Sequence, residues 1–92
     1  EVRKKSFDMN VRGIEESELV IAITDDKDMG TIFEAGHAYA SGVPVIYVAF
    51  TLGKDGMFNL MLAESGKAAC KTVEELEAAI LGQEIYYEGL IE

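Results

Sequence analysis

Glu34 is the residue around which a reaction could be built. It stands in the stretch Asp28-Met29-Gly30-Thr31-Ile32-Phe33-Glu34-Ala35-Gly36-His37-Ala38, where an acidic turn leads into an apolar segment. A carboxylate in the first turn of a helix is stabilised by the positive end of the helix dipole. Kept ionised and partly desolvated, it can serve as a covalent nucleophile. The same pattern has a purely structural reading, because Thr31-x-x-Glu34 is a capping box in which Glu34 only satisfies a backbone N–H. Asp28 is equally double: a turn aspartate bonded to its own backbone, or an acceptor for sugar hydroxyls. Gly30 lets a ligand approach the backbone closely.

The other reactive side chains have plainer roles. Asp25 and Asp26 read as solvated turn residues. A magnesium site there would need a phosphate-cradling, lysine-bearing glycine loop, which does not accompany them. Glu34-x-x-His37 matches half of a di-iron motif, but that site needs a second histidine and the chain has one. His37 therefore reads as a packed or rim residue. Phe58 and Met61 fall at helical spacing and read as core. Asn59 is a polar exception in that segment with either role open, and Cys70 reads as a small buried hydrophobe. No metal and no cofactor is expected.

The elements that must position these groups follow from the apolar patterning. Phe7, Val11 and Ile14 form one stripe of a short helix, preceded by a charged, frayed Glu1–Lys5. Leu19-Val20-Ile21-Ala22-Ile23 lacks alternation and is rich in branched residues, as in a strand covered on both faces of a parallel sheet. A helix follows from about Thr31 to Ser41. It is apolar nearly all round and so is expected to be covered on most sides. Gly42 stands where a left-handed cap belongs. Pro44 opens a second buried strand running from Val45 to Phe50.

Beyond a loop over Thr51–Gly56, Phe58–Glu64 reads as a short helix ended by Gly66, and Lys67–Cys70 as a short strand. Thr72-x-x-Glu75 caps a last helix with Val73, Leu76 and Ile80 as its inner stripe and Gly82 as its stop. The segment Ile85–Ile91 is too apolar to remain free and is expected to dock, on this chain or on another subunit. The whole is one α/β domain over residues 1–92, a flavodoxin-like or Rossmann-like three-layer parallel sheet. A three-stranded parallel sheet would leave both edges open, so the expectation is a fold lacking its amino-terminal strand in this chain.

Composition narrows the function. The 92 residues carry a formal charge of −9, which argues against nucleic-acid polymers and anionic membranes as partners but leaves nucleosides open. A single cysteine excludes an intrachain disulfide and fits a reducing, cytoplasmic compartment. The longest apolar run, Val43–Phe50, is too short to span a bilayer. These residues show no secretory signal, and a start at Glu1 rather than Met leads us to expect an incomplete or processed amino end.

A buried strand, then Asp28-x-Gly30-Thr31-x-x-Glu34-x-Gly36-x-Ala38, then Gly42-Val43-Pro44-Val45-Ile46, and downstream Asn59-Leu60-Met61, resembles the nucleoside 2-deoxyribosyltransferase family from about Asp8 to Leu76. The resemblance implies that Glu34 is the nucleophile attacking the anomeric carbon of a deoxynucleoside. It implies that Asp28 binds the sugar, and that Asn59 and Met61 reach into the site of a neighbouring subunit of a homo-oligomer. The substrates it implies are a deoxynucleoside and a free nucleobase. Where the family carries the aspartate that protonates the base, this chain has Asn10. Asp8, nearby, could substitute only from outside the helix, because residues two apart on a helix point to nearly opposite sides. The strand, glycine loop and helix with which the family opens have no counterpart here. Two other functions fit the same sequence: a deoxynucleoside 5′-phosphate N-glycosidase, and a nucleoside-binding module without catalysis.

Overall fold

The structure, a computed structural model, describes residues 1–52 and 56–92. In chain order these form α1 (Val2–Glu15), β1 (Val20–Ile23), α2 (Met29–Ala40), β2 (Val45–Val48), β3 (Met57–Phe58), α3 (Leu60–Ser65), β4 (Ala68–Cys70), α4 (Val73–Ile80) and β5 (Leu90–Ile91). The expected loop over Thr51–Gly56 lies partly outside the described residues. Strands β1, β2 and β4 make a parallel sheet in the order β1-β2-β4, the α/β architecture the branched apolar runs predict. Val20 pairs with Val45, and Ile46 with Ala68.

The central strand β2 is buried along its whole length and separates two cores. Val45 and Tyr47 face the side of α2 and α3, with Ala22, Ala35, Ala38 and Ala63. Ile46 and Val48 face the side of α4, with Cys70 and Ala79. This alternation follows from the period of two along a strand. Small residues carry most of the helix–sheet contact, so the helices lie close to the sheet. Tyr47 is the largest side chain fully enclosed. Its hydroxyl accepts a hydrogen bond from Ser65 Oγ at 3.2 Å, and its ring passes under Gly66, where an added Cβ would lie 2.6 Å from Tyr47 Cδ2.

Several local expectations are corrected. Glu1–Lys5 is not frayed: Glu1 caps α1 by accepting from the Arg3 backbone N–H at 2.6 Å, and the helix runs from Val2. Helix α2 begins at Met29, capped by Asp28. Phe58 belongs to strand β3, and α3 starts after Asn59. The inner face of α4 is Leu76 and Ala79, while Val73 and Ile80 are half exposed. Gly42 and Gly82 do take positive φ, at 80° and 108°, as left-handed helix ends require.

Two faces expected to be covered are open within this chain. On β1, Val20 and Ala22 turn toward α2, but Ile21 and Ile23 are 43% and 53% exposed. Helix α4 packs on β2 and β4 and leaves β1 uncovered on that side. On α2 only Ala35 and Ala38 are buried, and Phe33 and Tyr39 are 54% and 61% exposed. The sheet's other edge is better protected: the β4 residue Ala69 donates its N–H to Ile85 O at 2.9 Å. The tail docks on its own chain. Tyr87 packs 5.2 Å from Phe58, centroid to centroid, and β5 pairs with β3.

Candidate functional site

Helix α2 starts where it does because Asp28 is a better cap than Thr31. Its carboxylate Oδ2 accepts from the Thr31 backbone N–H and from the Thr31 hydroxyl, both at 2.9 Å. That satisfies one of the donors left open by a helix start. Gly30 leaves room for this cap, since a Cβ there would stand a tight 3.3 Å from Asp28 Oδ2. The capping-box reading of Thr31 and Glu34 is therefore replaced: Asp28 takes the capping role and leaves Glu34 free of it. Among the described residues, the Glu34 carboxylate has no hydrogen-bond partner.

Glu34 instead lines a groove of about 340 Å³ between α1 and α2. The α1 wall is Phe7, Asn10, Val11 and Ile14; the α2 wall is Asp28, Gly30, Phe33 and Glu34. Four of the residues singled out in the sequence, Asn10, Asp28, Gly30 and Glu34, thus share one cavity. The stripe Phe7/Val11/Ile14 is the α1 wall because residues spaced by three and four fall on one side of a helix. At one end the Phe7 and Phe33 rings meet, centroids 5.9 Å apart at 54°, an apolar ledge beside two carboxylates. Glu34 is exposed rather than sheltered, because α2 gives the sheet only its alanines.

Asp8 does not line the groove. It lies inside α1, contrary to the condition on which it could replace Asn10, and its carboxylate is 3.4 Å from Lys4 Nζ. Asn59 and Met61 are also elsewhere. They line a cleft of about 530 Å³ beyond the carboxyl ends of β1 and β2, together with Thr24, Asp25 and Phe58, the edge where open α/β sheets bind ligands. Asn59 Oδ1 caps α3, accepting from the N–H groups of Met61 at 2.9 Å and Leu62 at 3.3 Å. Met61, expected in the core, is 73% exposed.

One residue has a role the sequence reading missed. Asp25 is no solvated turn residue: its Oδ2 accepts from the Thr51 backbone N–H at 2.6 Å and the Thr51 hydroxyl at 2.7 Å, tying the ends of β1 and β2 together. Burial alone would raise its pKa, but these hydrogen bonds outweigh it and hold the carboxyl below its ordinary value of 3.8. An acid closely following an apolar strand was the available signal. His37, read as a packed or rim residue, is partly buried between the helices, with Nε2 at 2.7 Å from Glu15 Oε2 on α1. Among the described residues no cluster of His, Cys, Asp and Glu is arranged to hold a metal ion, and no helix is long and apolar enough to cross a membrane.

The chain matches the family model of nucleoside 2-deoxyribosyltransferase over residues 1–78, and it belongs to that family. No curated protein and no solved structure matches it significantly.

Proposed function

We propose that this member of the nucleoside 2-deoxyribosyltransferase family moves 2-deoxyribose between nucleobases through an ester to Glu34. A Glu34 oxygen attacks the anomeric carbon, the bond to the base nitrogen breaks, and its electron pair leaves with the base, which takes up a proton. A nitrogen of the incoming base then attacks the same carbon, the ester bond breaks, and the Glu34 carboxylate is regenerated while the new base loses its proton. Two displacements at one carbon retain configuration, as in retaining glycosidases.

The observation that carries this reading is the shared groove: Glu34, without a capping duty, faces the same cavity as Asp28 and Asn10. Asp28 Oδ2 is committed to Thr31, which leaves Oδ1 as the acceptor for a sugar hydroxyl. Asn10 hydrogen-bonds the base, and the Phe7–Phe33 ledge receives its flat face. The proton for the departing base comes from solvent, since Asn10 is not an acid and Asp8 lies off the groove. Two carboxylates in one small groove repel a phosphate, which favours a deoxynucleoside over its 5′-monophosphate. Asn59 and Met61, remote from this groove, serve the site of a neighbouring subunit in a homo-oligomer.

The test is base exchange between a deoxynucleoside and a free base, compared for the wild type and Glu34→Ala. Exchange should fall at least about a thousandfold, and full activity in the variant would end the assignment. A second reading, release of the base to water, is favoured by the open position of Glu34. The ratio of transferred to hydrolysed sugar, measured with and without acceptor base, separates the two.

A further inference from the structure

Helix α1 carries one whole wall of the groove, yet none of its side chains is buried. Ile14 packs against the core, and two further contacts join α1 to α2 on either side of Asn10. One is the Phe7–Phe33 ring contact. The other lies at the far end of α1, where His37 Nε2 and Glu15 Oε2 are 2.7 Å apart. A carboxylate can only accept, so Nε2 bears the proton and donates it. His37 lies one turn beyond Glu34 on α2, and Glu15 lies beyond Ile14 on α1. Asn10 and Val11 therefore lie between these two contacts along α1.

We propose that Glu15 and His37 are positioning residues: their hydrogen bond sets the distance of the α1 wall, and so of Asn10, from Glu34. Neither touches the substrate. The inference rests on the reading of the groove as the nucleoside site. Its energetic origin is ordinary, a short hydrogen bond to a carboxylate, but it acts on a helix none of whose side chains is fully buried. A shift of the wall on the order of 1 Å is enough to weaken a positioned contact substantially.

The test is steady-state base exchange by Glu15→Ala, His37→Ala, the double variant and His37→Gln, with Glu34→Ala alongside. The KM for the donor deoxynucleoside should rise about fivefold in each alanine variant, with kcat changed less than about threefold. The double variant should lose no more than either single one, because both act through one contact. His37→Gln, which can still donate to Glu15, should recover most of the wild-type KM. A loss confined to kcat would report only a smaller folded fraction and would overturn the proposal, as would additive losses in the double variant. Wild-type kinetics in the alanine variants beside an inactive Glu34→Ala would overturn the positioning role alone. The expected KM pattern beside a fully active Glu34→Ala would instead overturn the nucleophile and leave the positioning role standing.

Discussion

Asp28 and Thr31 are joined twice through one oxygen, the aspartate Oδ2 accepting from both the backbone N–H and the hydroxyl of the threonine at 2.9 Å. This pair gives Asp28 two separable duties, one toward its own helix and one toward the groove. Asp28→Ser keeps a side-chain oxygen for the cap and should cost little stability, whereas Asp28→Ala should lose about 1 kcal/mol. Both should weaken binding of the deoxynucleoside to a similar extent. Denaturant titration beside substrate KM resolves the two duties, and a serine variant with wild-type KM would confine Asp28 to capping.

Gly30→Ala tests the same pair from outside. The new methyl group would stand 3.3 Å from Asp28 Oδ2, so the carboxylate must give way by a few tenths of an ångström. We expect a raised KM with the far-ultraviolet circular dichroism unchanged.

Gly66→Ala should be the more damaging glycine change, because its Cβ would meet Tyr47 Cδ2 at 2.6 Å in the middle of the core. Overpacking of this kind costs about 1–3 kcal/mol, readable as a lower denaturant midpoint.

Asp25 predicts an acid-side signature. Its folded carboxyl titrates below 3.8, so its hydrogen bonds to Thr51 stabilise the protein fully above that pH. The contribution fades as the pH falls through the lower, folded value. The stability difference between wild type and Asp25→Asn should therefore be largest above about pH 4 and shrink below it. A difference that grew toward lower pH would contradict the assignment.

If Asn59 serves a neighbouring subunit, two inactive variants should rescue each other. A subunit with Glu34→Ala and a subunit with Asn59→Ala form one intact site per mixed dimer, so random mixing should restore about a quarter of wild-type exchange. No recovery on mixing, with subunit exchange verified by mass, would place Asn59 in a role confined to its own chain. Asn59→Asp, which preserves the α3 cap, controls for loss of the helix start.

The elements most legible in the sequence were those set by local chemistry. The branched runs of β1 and β2 (β2 ending at Val48, short of the expected Phe50), the positive-φ glycines at positions 42 and 82, and the Thr72 cap, whose Oγ1 accepts from the Glu75 N–H at 3.1 Å, are all present. Competition between neighbouring signals misled the rest. Asp28 and Thr31 both offered a start for α2, and Asp28 prevailed because its carboxylate reaches the Thr31 N–H and hydroxyl together. Asn59 resembled a polar fault inside a helix and proved to be its cap. Burial was the least legible property. The apolar ring around α2 suggested a covered helix, but which side chains meet the sheet depends on tertiary packing. Only Ala35 and Ala38 do so. The grouping of Asn10 with Glu34 likewise depends on how α1 lies across α2, which no spacing encodes.

The segment Leu90–Glu92 is wired to the one that bears Asn59: Glu92 N–H donates to Phe58 O at 2.9 Å, and Leu60 N–H donates to Glu92 O at 3.2 Å. Any chain continued or inserted after Glu92 therefore pulls on the short strand leading into α3. An engineer wishing to leave Asn59 undisturbed should keep the Leu90–Glu92 backbone free to hydrogen-bond, with a spacer before any added module. Clipping the chain ahead of Tyr87 would strip the ring from Phe58 and release the Asn59 turn without touching a single groove residue.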